Sequence, residues 1–214
     1  MIFDHAGLVC ATSRKPDNMS LVYGQAQGAL ANRKLFLGGL GIEYRDLVCA
    51  KQVHGACVRV AGVSDKGRGA LSHDTALDDT DALLTDIRNL PLAIFTADCL
   101  SIFLFDPRRP AVGLVHAGRR GTEQEITLNA IRLMQEEYYS QAEDLYVGFG
   151  PSIRDCCYEV DLISINRKQM LGLGVRGEQI SDSGICTSCH RDEFFSYRRN
   201  GPSCGRMISV IMLR

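Results

Sequence analysis

Apolar residues fall into two kinds of pattern along this chain. The first is the continuous apolar run, which suits a strand buried on both faces. Leu92–Thr96, Ile102–Phe105 and Ala111–Val115 read this way. So do Leu145–Phe149, which ends in Gly150-Pro151, and the closing run Met207–Leu213. Residues 47–53 (LVCAKQV) and 57–63 (CVRVAGV) predict two more strands, one on each side of His54-Gly55. The second pattern is helical spacing. Ala26, Ala29, Leu30, Phe36, Leu37 and Leu40 predict a helix over 25–40, with Gly41 as its stop. Thr122-Glu123-Gln124-Glu125 matches a capping box and predicts a helix to about Tyr138, with Ile126, Ala130, Leu133 and Met134 on one stripe. Another helix is predicted over Leu162–Leu171, stopped by Gly172. The Gly, Ser and Asp-rich stretch 64–80 reads as an exposed loop.

Strands outnumber helices and the two kinds are mixed along the chain. The pattern predicts one α/β domain spanning residues 1–214, with a buried sheet core and helices outside it. Composition narrows the classes. The net charge is -1 over 214 residues, so the Lys and Arg surplus of a protein that coats nucleic acid is missing, as is a basic membrane-binding face. The longest apolar stretch, Leu92–Phe105, is broken by Asp98 and is too short to span a bilayer. No positive segment precedes the N-terminal apolar residues, so the chain reads as free of a secretory signal, soluble and cytoplasmic. Nine cysteines, an odd number, then favour free thiols and metal ligands over a disulfide framework.

Three segments share one design: Val53-His54-Gly55, Ala97-Asp98-Cys99 and Val115-His116-Ala117-Gly118. Each places a metal-ligating side chain where a strand gives way to a turn. Strand ends of one sheet can converge on one cleft. Two imidazoles and a thiolate suit zinc, with copper also possible, and three protein ligands leave a fourth position open for chemistry. The bland alternative is a hydrogen-bonded structural His and a Cys acting as a small hydrophobe.

Around this set, Asp98 reads either as a general acid or base, as an acceptor that orients a ligating His, or as a turn residue bonded to backbone. Gln52 reads as a ligand for a base or ribose, or as a satisfied edge residue. Arg119, Arg120, Arg198, Arg199 and Arg206 are candidate phosphate ligands. Arg120 is preferred, because it stands just before a capped helix whose N-terminus favours anions. Surface ion pairing is the competing reading for Arg119 and Arg199. Cys186-Thr187-Ser188-Cys189-His190 spells the haem-attachment pattern, which a chain without an export signal does not use. A second zinc set of Cys186, Cys189, His190 and Cys204 is conceivable. Cys156-Cys157 reads as core, and His5 and His73 as exposed and inert.

The phrases Gln52-Val53-His54-Gly55, Thr96-Ala97-Asp98-Cys99, His116-Ala117-Gly118, Gly150-Pro151-Ser152-Ile153, Cys157-Tyr158-Glu159-Val160 and Phe194-Phe195-Ser196-Tyr197-Arg198-Arg199 occur in one order. From about Asn18 to the C-terminus the chain resembles the family long called multicopper polyphenol oxidase (laccase-like). That family is now regarded as purine nucleoside phosphorylases and includes the peptidoglycan editing factors. The resemblance implies an α/β sandwich with a central mixed β core and outer helices, related to the catalytic domain of cytotoxic necrotizing factors. It assigns the metal ligands to His54, Cys99 and His116 and implies a monomer. One departure is Arg119, where the family has Trp after its HAG phrase, so an aromatic wall becomes a cation.

The implied activity is zinc-dependent phosphorolysis of adenosine, inosine and methylthioadenosine, with adenosine deaminase as a side activity. Its partners are then a purine nucleoside and phosphate. An amidase that removes a misincorporated amino acid from a UDP-muramyl nucleotide is the alternative. A copper-dependent phenol oxidase and a non-catalytic zinc domain are the remaining readings.

Overall fold

The computed structural model describes residues 5–214. Among these, ten strands form two mixed sheets, stacked face to face. In chain order the strands are β1 Leu8–Thr12, β2 Val48–Cys49, β3 Val58–Val60, β4 Ala82–Thr85, β5 Leu92–Thr96, β6 Leu100–Asp106, β7 Ala111–Ala117, β8 Tyr146–Phe149, β9 Ile180–Asp182 and β10 Met207–Leu213. The four-stranded sheet runs β1-β10-β5-β2, and the six-stranded sheet runs β3-β4-β7-β6-β8-β9. The helices are α1 Ala29–Gly39, α2 Arg119–Glu123, α3 Ile126–Tyr138, α4 Leu162–Gly172 and α5 Tyr197–Asn200.

Strand alternation separates the core into three apolar layers. In β6, Leu100, Ile102 and Leu104 face α3 and α4, where they meet Ile131, Met134 and Leu162. Phe103 and Phe105 of the same strand point the other way, into the space between the sheets, with Ile94, Ile211 and Leu213. On the far side of the smaller sheet, Ile208, Val210 and Met212 pack with Leu37 of α1. The order is therefore helix, sheet, sheet, helices. The sequence reading expected one buried sheet core. The continuous apolar runs hide the difference, because a strand covered by helices and a strand covered by a second sheet bury the same two faces.

Several expectations are corrected. The segment 47–53 contributes only two residues to a strand, because Gln52 replaces backbone pairing with its side chain: its amide donates to the Phe95 carbonyl (2.9 Å) and accepts from the Phe95 N–H (2.7 Å). Thr122 does not cap the long helix. It is buried inside α2, and its hydroxyl accepts from Asn166 (3.0 Å). Glu125, in the left-handed region (φ 60°), makes the break between α2 and α3. The stretch 64–80 is more than an exposed loop. Ala70, Ala76 and Leu77 are buried, and the Arg33 guanidinium, 2% exposed, reaches under it to the carbonyls of Gly69 (3.2 Å) and Ala70 (2.8 Å) while its Nε bonds that of Met19 (2.8 Å). The guanidinium also lies over the Phe95 ring at 4.6 Å. Among the described residues, no helix is long and apolar enough to cross a membrane.

Arg33 therefore ties three loop carbonyls to α1. Truncation to Ala leaves those carbonyls without their side-chain donor, and each unsatisfied buried group costs about 1–3 kcal/mol. Urea unfolding of Arg33→Ala is expected to show a loss of about 3 kcal/mol or more. The neighbouring exposed Lys34→Ala serves as the control and is expected to stay within about 0.5 kcal/mol of the parent.

Candidate metal centre

The site lies where the chain passes between the two sheets. β5 belongs to the smaller sheet and β6 to the larger, so Ala97-Asp98-Cys99 is a crossing. The segment after β2 leads from the smaller sheet to β3 in the larger one, and His54 sits on that second crossing. β2 and β5 run parallel as neighbours, so both crossings leave the smaller sheet at the same end. β7 delivers His116 there from the larger sheet, opposite Ser101. Both crossings bend sharply. His54 has φ 60° and Asp98 φ 94°, conformations that cost a non-glycine residue about 1–3 kcal/mol.

The ligating atoms of His54, Cys99 and His116 all lie within 4.8 Å of one another. The two imidazole rings meet edge to face, with centroids 4.8 Å apart. Room for this depends on Gly118: a Cβ there would stand 3.1 Å from the Cys99 sulfur and 3.1 Å from the His54 ring. Gly121 serves the same packing one turn later, since a Cβ would come within 2.8 Å of the Gly55 carbonyl.

Asp81 organises the set, and sequence reasoning missed it. It directly precedes β4, whose register against β7 brings it opposite His116. Its carboxylate, 0% exposed, accepts from His116 Nδ1 at 2.7 Å and from the backbone N–H groups of Val53 (3.2 Å), His54 (3.0 Å) and Gly55 (2.8 Å). The strained His54 turn is thus wrapped around a buried anion. With Nδ1–H given to Asp81, His116 presents Nε2 for coordination, the usual carboxylate–histidine–metal arrangement. The only advance signal was an acidic residue, Asp81, directly before an apolar run, among several such residues between 78 and 81.

The charges follow from this geometry. Burial would raise the Asp81 carboxyl, but hydrogen bonds from His116 and from the backbone of Gly55 and Val53 hold it below the usual carboxylate range. Burial likewise opposes ionisation of Cys99, yet the His116 charge and hydrogen bonds with both imidazoles bring the thiol down to about 6. Burial pushes His116 down, and the Cys99 sulfur and Asp81 more than offset this, raising it to about 9. Each of these two groups therefore favours the charged form of the other. This donor set, with one ligand oriented by a carboxylate, fits zinc with an open fourth position.

His54, Cys99 and His116 all line a cavity of about 760 Å³. Of the other residues singled out in the sequence, Gln52, Asp98, Arg119, Arg198, Arg206 and His73 also line it. Arg120 and Arg199 are not among the lining residues. Arg199 donates instead to the carbonyls of Thr187, Ser188 and Phe194. Arg206 is held by the Cys204 and Gly205 carbonyls. Arg119 pairs with Glu123 (2.9 Å) and faces Glu159 (3.6 Å), which Arg198 also faces (3.7 Å). Gln52 has both ends of its amide committed to Phe95. Asp98 is not the acceptor that orients an imidazole. Its carboxylate accepts from Thr187 Oγ1 (2.7 Å), Ser196 Oγ (3.0 Å) and the Arg198 N–H (2.7 Å), which fastens the C-terminal segment to the site.

Two outcomes are expected. Metal uptake must displace the proton on His116 and, at low pH, that on Cys99. Zinc affinity should therefore rise about tenfold per pH unit between about 6 and about 9, more steeply below that window, and level off above it, as read by competition with a chelator. Asp81→Asn keeps all three ligands but loses the buried anion. It is expected to weaken zinc binding about 10–100-fold in the same assay, with secondary structure retained by circular dichroism.

Residues 11–162 and 159–214 match the family described as multi-copper polyphenol oxidoreductase laccase. Purine nucleoside phosphorylase YlmD of Geobacillus stearothermophilus is 34% identical over 225 aligned residues, covering 91% of this chain and 82% of the relative. The crystal structure of YlmD from that organism has a TM-score of 0.94 against this fold at 33% identity, covering 98% of this chain and 93% of the other. A protein named adenosine deaminase RL5, from an unknown prokaryotic organism, is 28% identical over 202 residues, covering 80% of this chain and 77% of the relative. The family match spans the crossings, the three candidate metal-ligating residues and the closing strand alike, and the chain belongs to the multi-copper polyphenol oxidoreductase laccase family.

Proposed function

We propose that the chain is a zinc-dependent purine nucleoside phosphorylase, acting on adenosine, inosine and methylthioadenosine, with adenosine deamination as a side activity. The observation that carries this reading is a single one. A two-histidine, one-cysteine set opens on a cavity of about 760 Å³, within the range of small-ligand sites, and cations and tyrosines share its wall. Relatives named purine nucleoside phosphorylase and adenosine deaminase support the same substrate class.

In this reading the residues divide the work. Tyr158 and Tyr197 line the cavity and supply aromatic surface for a purine, in place of the Trp that Arg119 replaces. Arg119 and Arg198 take the phosphate. Both are oriented by Glu159, a partner that an incoming phosphate can displace because all three side chains are about half exposed. Asp98 positions Arg198 by accepting its backbone N–H, alongside the hydroxyls of Thr187 and Ser196. A phosphate oxygen then replaces the purine nitrogen on C1′, and the base leaves with a proton. When bound at His54, Cys99 and His116, zinc supplies a Lewis acid facing the cavity.

The phenol-oxidase reading needs a histidine-rich copper cluster. Among the described residues, one metal-capable group contains histidine, and it holds two of them. His190 bonds the Cys186 carbonyl, and His73 is exposed at the cavity rim.

Zinc-replete protein incubated with inosine and phosphate is expected to release hypoxanthine and ribose 1-phosphate; folded, metal-loaded protein that releases neither overturns the proposal. Arg198→Ala should raise the KM for phosphate about ten- to hundredfold, the cost of one charge-assisted hydrogen bond. Arg120→Ala should leave it unchanged.

A further inference from the structure

Among the described residues, one further cluster of side chains that could ligate a metal stands apart from the site already described. The sulfurs of Cys156, Cys157, Cys186 and Cys189 all lie within 4.8 Å of one another. All four are free thiols. We propose that these four cysteines form a second, closed zinc site that fastens two loops of the cavity wall.

The spacing is that of a coordination shell. A tetrahedral zinc with sulfurs at about 2.3 Å separates neighbouring sulfurs by about 3.8 Å. The separations here are 3.9 Å between Cys156 and Cys157, 3.7 Å between Cys156 and Cys189, and 3.5 Å between Cys157 and Cys189. A disulfide needs about 2.05 Å, and the adjacent pair Cys156-Cys157 is poorly placed to form one. Cys186 and Cys189 have the two-residue gap common in zinc loops. Four protein ligands leave no position for substrate, so the site is structural.

The ligand set differs from the one the sequence suggests around Cys186. His190 commits Nδ1 to the Cys186 carbonyl (2.9 Å), and Cys204 lies against Arg206 (3.1 Å). Their places are taken by Cys156 and Cys157, which adjacency in sequence disguised as core and which are exposed and half-buried respectively. A parallel bridge between Ser152 and Cys186 brings the two loops together.

The location gives the site its consequence. Cys157 precedes Tyr158, which lines the cavity, and Thr187 lies between the two ligands of the second loop. The Thr187 hydroxyl donates to Asp98, one residue from the Cys99 ligand. A metal at the four sulfurs would thus hold the Tyr158 wall and the Asp98 anchor in register.

Metal analysis of reduced, full-length protein tests this. The variant His54→Ala/His116→Ala removes the first site and is expected to retain one zinc per chain. Cobalt(II) in that variant should show the intense thiolate-to-metal charge-transfer absorption of a four-sulfur site. In wild-type protein, Cys156 and Cys189 should resist alkylation, mapped by mass spectrometry, until a chelator is added. Cys186→Ser/Cys189→Ser should lose one zinc relative to wild type. A double-histidine variant with no bound metal, alkylation of the four thiols at the same rate with and without chelator, or a disulfide among them would each overturn the proposal. The alkylation arm uses unmutated protein, so it decides the matter even where a variant fails to fold.

Discussion

The structure of the site depends on one buried carboxylate. Asp81 accepts three consecutive backbone N–H groups and one imidazole N–H, and its own side chain is closed to water. Without that anion, the left-handed turn at His54 would lose what offsets its strain, and His116 would be free to rotate. The same four donors hold the Asp81 charge in place despite its burial, because hydrogen bonds to a charged acceptor are the stronger kind. Turn, imidazole and carboxylate therefore support one another, and none of the three would hold its geometry alone.

The second constraint is the topology of the crossings. A sheet that ends in a loop gives its ligand freedom. A chain that leaves one sheet and immediately enters another gives very little. Cys99 has β5 three residues before it and β6 directly after it, each hydrogen-bonded into a different sheet. Asp98 takes the backbone strain of that short passage. Its carboxylate, bound by Thr187, Ser196 and the Arg198 N–H, draws the distant C-terminal segment over the cavity. Residues separated by about a hundred positions become neighbours because one residue cannot relax.

The strands were legible where apolar runs were long: β5, β6, β7, β8 and β10 lie close to the expected positions. β1, β4 and β9 were not anticipated, being short or lacking a distinctive pattern. The three candidate ligands stood out because each interrupts apolar sequence with a side chain capable of binding metal at a strand end. What surrounds them was hidden for a common reason. Asp81 is identified by strand register, and Gln52 by a side chain that imitates backbone pairing. These are properties of pairing between distant segments, and local sequence carries little of that information. The family resemblance supplied the ligands but not their supports.

The two crossings also have a mechanical meaning. The apolar contact between stacked sheets is non-directional, so it resists sliding less than hydrogen bonding would. A metal bound to His54 and Cys99 on the crossings and to His116 at the rim of the larger sheet would act as a rivet through both layers. Shear between the sheets would then distort the coordination shell before it exposed the core. The chamber in which the chemistry takes place would also be the joint that sets how stiffly the molecule is built, and neither could be retuned by mutation without altering the other.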